Sequence, residues 1–265
     1  MTTALEEAAR LLSRGGVLVF TGAGMSEEAG IPTFRDPGGL WDRFDPAAFG
    51  TWKGLAGLAM ERPDELAEFL ATLRRALAGA RPGPGHLALA HLEEAGLVEA
   101  VVTQNVDGLH QEGGSRRVIE IHGSFLRNRC LVCGRADAVD REEVCRGLDR
   151  AVVGLRQAFV PSLESLLPRC SSCAGPSRPD FVAFGEHLRD FPEAERLAAR
   201  CRVLLAVGTS GGVYPAASLP ALARASEARV VAIASGPTAV SADVHIEGKA
   251  GRVLPALAGE ALARA

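Results

Sequence analysis

Four of the six cysteines in this sequence are spaced as the ligands of a zinc ion. Cys130 and Cys133 form one C-x-x-C pair, and Cys170 and Cys173 form a second pair further along the chain. Each pair can place two thiolates on one tight turn, and two such turns close a tetrahedral four-cysteine site. Because the two pairs lie further apart than in a zinc ribbon, we expect the segment between them to be an insertion.

Disulfide bonds are the alternative interpretation of these cysteines, but they are disfavoured in a cytosolic chain. No histidine or carboxylate completes an open coordination site, so the sequence predicts a structural metal rather than a catalytic one. Cys145 and Cys201 remain outside the set, and we expect them to be buried or incidental.

A second set of chemically capable residues follows short apolar runs in the middle of the chain. One run leads into Gln104, Asn105 and Asp107, and the next leads into His122. An imidazole with a pKa near neutrality can serve as a general base. The alternative for His122 taken alone is a strand-end histidine whose hydrogen bonds are satisfied by its surroundings.

A glycine-rich turn follows another apolar run, "VLVF" at 17–20. Gly22 and Gly24 stand between a strand and a helix-like segment, where a phosphate-binding turn would lie. The fingerprint G-x-G-x-x-G is incomplete because position 27 is a glutamate, and a lone G-x-G also occurs where only the backbone needs glycine. The proline- and glycine-rich segment 30–41 is typical of an irregular loop that acts as a lid.

Alternating strand and helix patterns predict how these residues are positioned. Helical patterns separate the strands, and the clearest of them runs from Pro63 to Ala80. Short apolar strands separated by helices predict an α/β fold with a parallel sheet covered on both faces. We expect strands at 17–20, 101–103, 118–121, 202–207, 229–234 and 243–248.

Ligands of such a sheet bind beyond the carboxyl ends of the strands. Four predicted strand ends turn polar or glycine-rich, at 21–26, 104–107, 122–124 and 208–210. We therefore predict one shared site. The alternative is that every strand must end in turn residues, which accounts for the glycines and serines but less well for Gln-Asn-x-Asp and an exposed histidine.

The composition argues against several classes of protein. The chain has 265 residues and a net charge of −3, and this charge disfavours non-specific binding to nucleic acids. No apolar run approaches the roughly 20 residues that a membrane span needs. The N-terminal segment is interrupted by charges and resembles an amphipathic helix rather than a signal peptide. We expect a cytoplasmic protein that binds neither membranes nor nucleic acids.

Six motifs occur along the chain: "TGAGMSEEAGIPTFRD", "TQNVDGLH", "IEIHGS", the two C-x-x-C pairs, "RPDFVAFGE" and "GTSGGVYP". Their order resembles that of the sirtuins, the family of NAD-dependent protein-lysine deacylases. The match covers residues 15–255, and the ordered set is highly specific although no single motif is. This resemblance implies an α/β fold: a Rossmann-like doubly wound parallel sheet with a second, smaller zinc-binding domain. NAD and acyl-lysine would meet in the cleft between the domains.

The resemblance also implies roles for the strand-end residues. His122 would be the general base, Asp107 would hold the nicotinamide carboxamide, and Asn105 would order the ribose region. Zinc, one ion per chain, would be structural. Further residues implied to contact NAD are Gly22, Ala23, Gly24, Ser26, Phe34, Arg35, Gln104, Gly208, Thr209, Ser210, Ser235 and Ala250.

The reaction implied by the resemblance consumes NAD. The acyl-lysine carbonyl oxygen attacks C1′ of the ribose as nicotinamide leaves, and His122 takes a proton from a ribose hydroxyl. The products would be nicotinamide, free lysine and 2′-O-acyl-ADP-ribose. The same cofactor and cleft could support mono-ADP-ribosyl transfer or NAD hydrolysis. A non-catalytic NAD sensor is a further alternative, against which the intact His122, Asn105 and Asp107 argue.

The expected partners are acyl-lysine proteins or peptides, and we expect the enzyme to be a monomer. The segment 181–186 would pair with the substrate peptide as an added strand. Within it, the resemblance implies substrate contacts from Val182, Phe184, Gly185 and Glu186.

The acyl group is predicted from two helical positions. Some sirtuins that remove succinyl or malonyl groups carry a Tyr-x-x-Arg pair, and the matching positions here are Leu70 and Leu73. Neither leucine can pair with a carboxylate, and Arg74 lies about 100° further around the helix. The two leucines also lie on the apolar stripe of the helix, so they could simply be core. Both interpretations predict a preference for acetyl or another neutral acyl group.

The implied domains are interleaved along the chain. The predicted parts are 1–40, 86–125 and 181–265 for the large NAD-binding domain, 41–85 for the lid and helical part of the small domain, and 126–180 for the zinc module.

One departure from the family pattern concerns the strand at 229–234, which ends in Ala234 and Ser235 where sirtuins usually place an asparagine. This change bears on the tightness of NAD binding. Another is Thr33, where the motif is usually written with aspartate.

Overall fold

The computed structural model describes residues 3–34, 38–157 and 167–265, which fall into two compact units. Unit 1 comprises the described residues of Met1–Ile31, Arg81–Ile121 and Leu188–Ala265. Unit 2 comprises those of Pro32–Ala80 and His122–His187. The units therefore alternate along the chain.

The observed boundaries differ from the predicted ones by a few residues. The described residues of 32–40, together with 122–125 and 181–187, belong to unit 2, and residues 81–85 belong to unit 1. One physical reason is strand pairing, since Gly123 and Ser124 are paired with Phe181 and Asp180 in a small sheet of unit 2.

The described residues form two sheets. In unit 1, all strands are parallel and lie in the order β3-β2-β1-β7-β8-β9, which confirms the predicted doubly wound sheet. In unit 2, three antiparallel strands lie in the order β5-β4-β6. The strands are β1 Val17–Thr21, β2 Val98–Thr103, β3 Val118–Glu120, β4 Gly123–Cys130, β5 Ala136–Ala138, β6 Ser177–Phe181, β7 Val203–Val207, β8 Arg229–Ala234 and β9 Val244–Glu247.

The helices cover the strands of unit 1 and build the helical part of unit 2. The N-terminal helix begins with a capping box, in which Thr3 and Glu6 exchange hydrogen bonds. The helices are α1 Ala4–Leu12, α2 Leu40–Arg43, α3 Pro46–Phe49, α4 Trp52–Glu61, α5 Pro63–Gly79, α6 Pro84–Glu94, α7 Leu109–Glu112, α8 Arg141–Arg156, α9 Phe191–Ala198, α10 Leu219–Ala225 and α11 Ala250–Leu262.

Alternation along β1 shows why its sequence is apolar throughout. Val17 and Val19 pack into a core with residues of α1, α6 and α11, whereas Leu18 and Phe20 pack into a second core with residues of α9 and α10. Successive side chains of a strand point to opposite faces, and both faces are covered here. The residues that follow β1 are therefore positioned by a strand that is buried along its whole length.

Unit 2 combines a helical core with the small sheet. The aromatic rings of Phe44, Phe49 and Phe69 pack against one another, with centroids 5.0 to 5.1 Å apart. In the small sheet, Asp180 is fully buried and accepts hydrogen bonds from Arg127 and Arg129. The half-buried, arginine-rich sequence of β4 explains why periodicity did not predict this strand.

No helix within the described parts of the chain has both the length and the apolar character that a membrane span requires.

Candidate active site and metal centre

Two glycine-containing turns of unit 1 are in close backbone contact at the carboxyl ends of β1 and β7. A Cβ atom at Gly22 would lie 2.8 Å from the carbonyl oxygen of Gly208, and one at Gly24 would lie 2.9 Å from the Gly208 Cα. The backbone is joined there as well, since Gly24 N donates to Gly208 O at 2.9 Å. Glycine is therefore required at both predicted positions by a close backbone approach.

Amide side chains after β2 bind to the same turns. Gln104 donates from Nε2 to Thr209 Oγ1 at 2.9 Å, and Asn105 donates from Nδ2 to Gly22 O and to Ser26 Oγ, each at 3.1 Å. Asn105 is buried and Gln104 is half-buried. Three of the four predicted strand ends thus come together within unit 1.

Asp107 is buried beside two histidines that sequence reasoning missed. Its Oδ1 accepts a hydrogen bond from Leu109 N at 2.9 Å, and its charge acts on the imidazole of His86. The rings of His86 and His110 lie 5.0 Å apart, and both side chains are about 1% exposed. Burial lowers the pKa of His86 although Asp107 opposes this shift. The only sequence signals for these histidines were the motif "GPGH", which ends in His86, and the last residue of "TQNVDGLH", which is His110.

A chain of hydrogen bonds connects His110 to Asn105. His110 Nε2 lies 3.0 Å from Thr21 Oγ1, which donates to Thr103 Oγ1 at 2.8 Å. Thr103 Oγ1 also accepts from Asn105 N at 3.0 Å. These buried hydroxyls hold the backbone of the Gln-Asn-x-Asp segment behind the side chains predicted to bind the cofactor.

We expect acid to destabilise the folded state through His110. Burial, aided by the nearby His86, lowers the pKa of His110 from 6.5 to about 3. Below pH 6.5 the unfolded chain binds a proton that the folded chain does not, so stability falls as the pH drops towards 3, by about 1.4 kcal/mol per pH unit. Urea unfolding at pH 6.5 and pH 5 should show a loss about 2 kcal/mol larger in the wild type than in His110→Gln. Equal losses in both proteins would contradict this assignment.

The remaining predicted cofactor residues of unit 1 lie after β7 and β8 and at α11. Thr209 is buried, and its carbonyl accepts from Thr238 Oγ1 at 2.9 Å. Ser210 and Ser235 are exposed beyond the ends of their strands, and Ala250 begins α11. A Cβ atom at Gly85 would lie 3.1 Å from the carbonyl oxygen of Ala250. Thr238 is a further residue that sequence reasoning did not select.

His122 belongs to unit 2, directly before β4. Its carbonyl accepts a hydrogen bond from Val182 N at 2.8 Å, and the residue is half-buried. The next residue, Gly123, has φ +73°, and a Cβ atom there would lie 1.8 Å from Asp180 O. Only glycine fits this position, and so the way β4 and β6 meet requires a glycine directly after His122.

The predicted substrate segment continues β6 beside His122. Phe184 N donates to Gly50 O at 2.8 Å, and a Cβ atom at Gly50 would lie 2.4 Å from the Phe184 ring. Phe184 and Gly185 remain exposed, and Val182 is half-buried. The segment is thus attached to the helical part of unit 2 and presents an exposed turn.

Phe34 stands at the end of the described part of the predicted lid. Its ring centroid lies 5.3 Å from that of Trp41, and the Trp41 centroid lies 6.2 Å from that of Phe184. A row of three aromatic rings therefore runs from the lid to the predicted substrate segment. Arg35, also predicted to contact the cofactor, lies outside the described residues.

Leu70 and Leu73 lie on α5, half-buried against the apolar core of unit 2. The neighbouring Arg74 forms a bidentate pair with Asp149 of α8, with Nε–Oδ1 and Nη2–Oδ2 distances of 3.0 Å. Arg74 is therefore engaged elsewhere, as the helical geometry predicts.

The four predicted cysteines converge in unit 2. Their sulfur atoms all lie within 4.8 Å of one another, with Cys130–Cys173 at 3.5 Å and Cys133–Cys170 at 3.7 Å. Sulfurs around a tetrahedral zinc ion stand about 3.8 Å apart, given Zn–S bonds of about 2.3 Å. The group fits one zinc ion, and the close non-bonded sulfurs show free thiols rather than disulfides.

Backbone hydrogen bonds prepare the cluster for a cation. Cys133 N and Val132 N donate to Cys130 Sγ and help lower its pKa to about 6. Although Gly175 N favours the thiolate of Cys173, hydrogen bonds with the other thiols raise the pKa of Cys173 to about 12. The hydrogen bonds to Cys130 therefore favour its thiolate, which is the form of cysteine that binds a metal ion.

Asp137 joins the two cysteine turns and was not predicted from the sequence. It accepts from Arg135 Nε at 2.7 Å on one side, and from Ser171 Oγ at 2.9 Å and Ser171 N at 3.2 Å on the other. A carboxylate that orients both turns stabilises the metal site without contacting the ion.

The fold and these residues define a Rossmann-like α/β protein with a four-cysteine zinc module. Residues 22–215 match the model of the Sir2 family. An NAD-dependent protein deacylase 2 of Pyrobaculum aerophilum is 44% identical, covering 94% of this chain and 92% of the relative. An NAD-dependent protein deacylase of Desulfosudis oleivorans is 41% identical, covering 96% and 94%.

Solved structures of Sir2 proteins are also similar to this chain. A Sir2 homologue in complex with NAD is 32% identical with a TM-score of 0.78, covering 98% of this chain and 95% of that chain. A Sir2 protein with a deacetylated peptide and 3′-O-acetyl-ADP-ribose is 31% identical with a TM-score of 0.76, covering 97% and 98%. The chain belongs to the Sir2 family, the sirtuins.

Proposed function

We propose that this protein removes acetyl or other neutral acyl groups from protein lysines in an NAD-dependent reaction. The observation that carries the proposal is the convergence of Gly22, Asn105 and Thr209 on one rigid turn structure in a chain whose relatives are named NAD-dependent protein deacylases. The products are nicotinamide, free lysine and 2′-O-acyl-ADP-ribose.

The residues of unit 1 bind and orient NAD. The glycine turn at Gly22 and Gly24 gives the pyrophosphate a close approach to the backbone. Asp107 holds the carboxamide of nicotinamide, and Asn105 orders the ribose. NAD supplies a ribose carbon that becomes electrophilic as nicotinamide leaves. Pre-formed hydrogen bonds at Asn105 mean that little ordering is needed when the cofactor binds.

His122 is the general base that takes a proton from a ribose hydroxyl. An imidazole suits this task because its ordinary pKa lies near physiological pH. The hydrogen bond from Val182 N to the His122 carbonyl fixes the backbone of the base to the segment that pairs with the peptide. The base and the peptide segment are thus held by the same part of unit 2.

The substrate peptide lies along the exposed backbone of Phe184 and Gly185 and pairs with it as an added strand. Phe184 N, Val182 N and Ala183 N all donate within unit 2, so these donors hold the segment itself. The side chain of Glu186 turns inward and accepts a hydrogen bond from Ala183 N. Glu186 therefore acts on the substrate by holding the shape of the turn rather than by direct contact.

Acetyl-lysine should be preferred over succinyl-lysine by at least about tenfold in kcat/KM on matched peptides. The reason is that a succinyl carboxylate would meet the apolar side chains of Leu70 and Leu73 without a partner, which costs about 1–3 kcal/mol. Arg74 is held by Asp149 and does not supply the charge. The double variant Leu70→Tyr, Leu73→Arg should raise the succinyl rate relative to the acetyl rate. A wild-type preference for succinyl would refute the leucine assignment.

The proposed function is tested with purified protein, NAD and a panel of acyl-lysine peptides. We expect nicotinamide release and loss of the acyl group from the acetyl peptide, and neither in the absence of NAD. Loss of NAD without any change in peptide mass would indicate an NAD hydrolase, and a gain of an ADP-ribosyl group would indicate a transferase.

A further inference from the structure

Glu186 closes the turn formed by Ala183–Glu186, which we call the 183–186 turn. Its Oε2 accepts from Ala183 N at 3.0 Å, and its own N donates to Ala183 O at 3.1 Å. The same Oε2 accepts from Trp52 Nε1 at 3.1 Å, and Oε1 accepts from Arg178 Nη2 at 2.6 Å. One carboxylate therefore receives three donors from three separate parts of unit 2.

The two outer donors of this group also support each other. The Arg178 guanidinium lies 4.3 Å from the centroid of the Trp52 ring, and the Trp52 ring stacks on Phe181 at 4.6 Å and 28°. The Arg178 side chain is only 13% exposed. Hydrogen bonds to a charged acceptor are stronger than neutral ones, and partial exclusion of water strengthens them further.

The electrostatics of Glu186 agree with this geometry. Partial burial opposes ionisation of the carboxyl, but hydrogen bonds from Ala183 and Trp52 and the pair with Arg178 outweigh it and hold the pKa below its ordinary value. The carboxylate is consequently charged at neutral pH, when all three donors are in place.

We propose that Trp52 and Arg178 are positioning residues for the peptide substrate, acting through Glu186. The proposal rests on the proposed function, in which the peptide pairs with the exposed Phe184 and Gly185. By holding Glu186, the two residues keep the 183–186 turn in one conformation before the peptide arrives. A turn ordered in advance removes a cost of binding, so this arrangement acts on peptide affinity and not on the chemical step.

The test compares Trp52→Phe and Arg178→Lys with the wild type. Phenylalanine retains an aromatic ring over Phe181 but lacks the N–H donor, and lysine retains the charge but not the planar fork. The first measurement is the affinity for a fluorescein-labelled acetyl-lysine peptide by fluorescence polarisation without NAD. The second is the full set of kcat and KM values for peptide and NAD.

We expect Trp52→Phe to weaken peptide binding and to raise the peptide KM by about tenfold, the size expected for one hydrogen bond to a charged acceptor. The value of kcat at saturating peptide and the KM for NAD should stay within about twofold, as expected when only ground-state binding is lost. Arg178→Lys should give a smaller effect in the same direction. Arg146→Gln, which breaks exposed ion pairs with Glu142 and Glu143 in the same unit, is the matched control and should change nothing.

The proposal is overturned if folded Trp52→Phe binds peptide as tightly as the wild type, or if it loses kcat with an unchanged peptide KM. It is also overturned if the wild type does not bind the peptide. The binding assay needs no turnover, so a wild type that binds peptide without deacylating it would contradict the proposed function while the comparison of the variants still decides the role of Trp52 and Arg178.

Discussion

His122→Ala should lower kcat/KM for an acetyl-lysine peptide by about 10²–10⁴-fold, the usual contribution of a general base. The loss should appear in kcat, because the imidazole acts on a proton during the reaction and not on peptide binding. The variant should stay folded, since the half-buried His122 is held to Val182 through its backbone carbonyl, which alanine retains. The measurement is steady-state kinetics together with thermal unfolding.

The matched control is His245→Ala, which removes an exposed imidazole of β9. This variant should keep the kinetics of the wild type. If His122→Ala also keeps wild-type turnover, His122 is a structural residue and the proposed base is wrong.

Cys130→Ser should release zinc and unfold the metal module of unit 2. Four thiolates on two turns hold the ion, and the free energy of zinc binding in such sites, about 10–16 kcal/mol, is also free energy of folding. This free energy is comparable with the roughly 5–15 kcal/mol by which a domain is usually stable, so weakening the site by removing one ligand should be enough to unfold the module. Metal analysis should give about one zinc per wild-type chain and little or none in the variant, with a lower unfolding temperature.

Cys145→Ala provides the control, because Cys145 is a buried cysteine of the same unit outside the tetrad. It should retain one zinc. Freshly purified, active wild-type protein that contains no zinc would refute the metal assignment, as would a Cys130→Ser variant with full zinc content.

Motifs that depend on short spacing were predicted well from the sequence. The two C-x-x-C pairs converge as expected because each pair needs only one local turn, and the parallel sheet follows from apolar strands buried on both faces. Gly22 and Gly24 were placed correctly at a strand end, although the reason for them, contact with Gly208, depends on the register of β1 and β7.

Features that depend on distant partners could not be predicted. β4 carries two arginines, Arg127 and Arg129, which pair with Asp180, a residue about fifty positions away, so its sequence lacks a strand pattern. His110 and Thr21 form part of a buried polar network that only the pairing of β1 with β2 creates. In the same way, Trp52 meets Glu186 only when unit 2 has folded.

The measurement that tests the proposed function most directly is the stoichiometry of the reaction. Purified protein is incubated with NAD and an acetyl-lysine peptide, and nicotinamide, deacetylated peptide and acetyl-ADP-ribose are quantified in the same samples. A lysine deacylase that consumes NAD should form the three products in equal amounts, and none of the deacetylated peptide should appear without NAD. Nicotinamide formed in excess while the peptide keeps its acetyl group would contradict the proposed reaction.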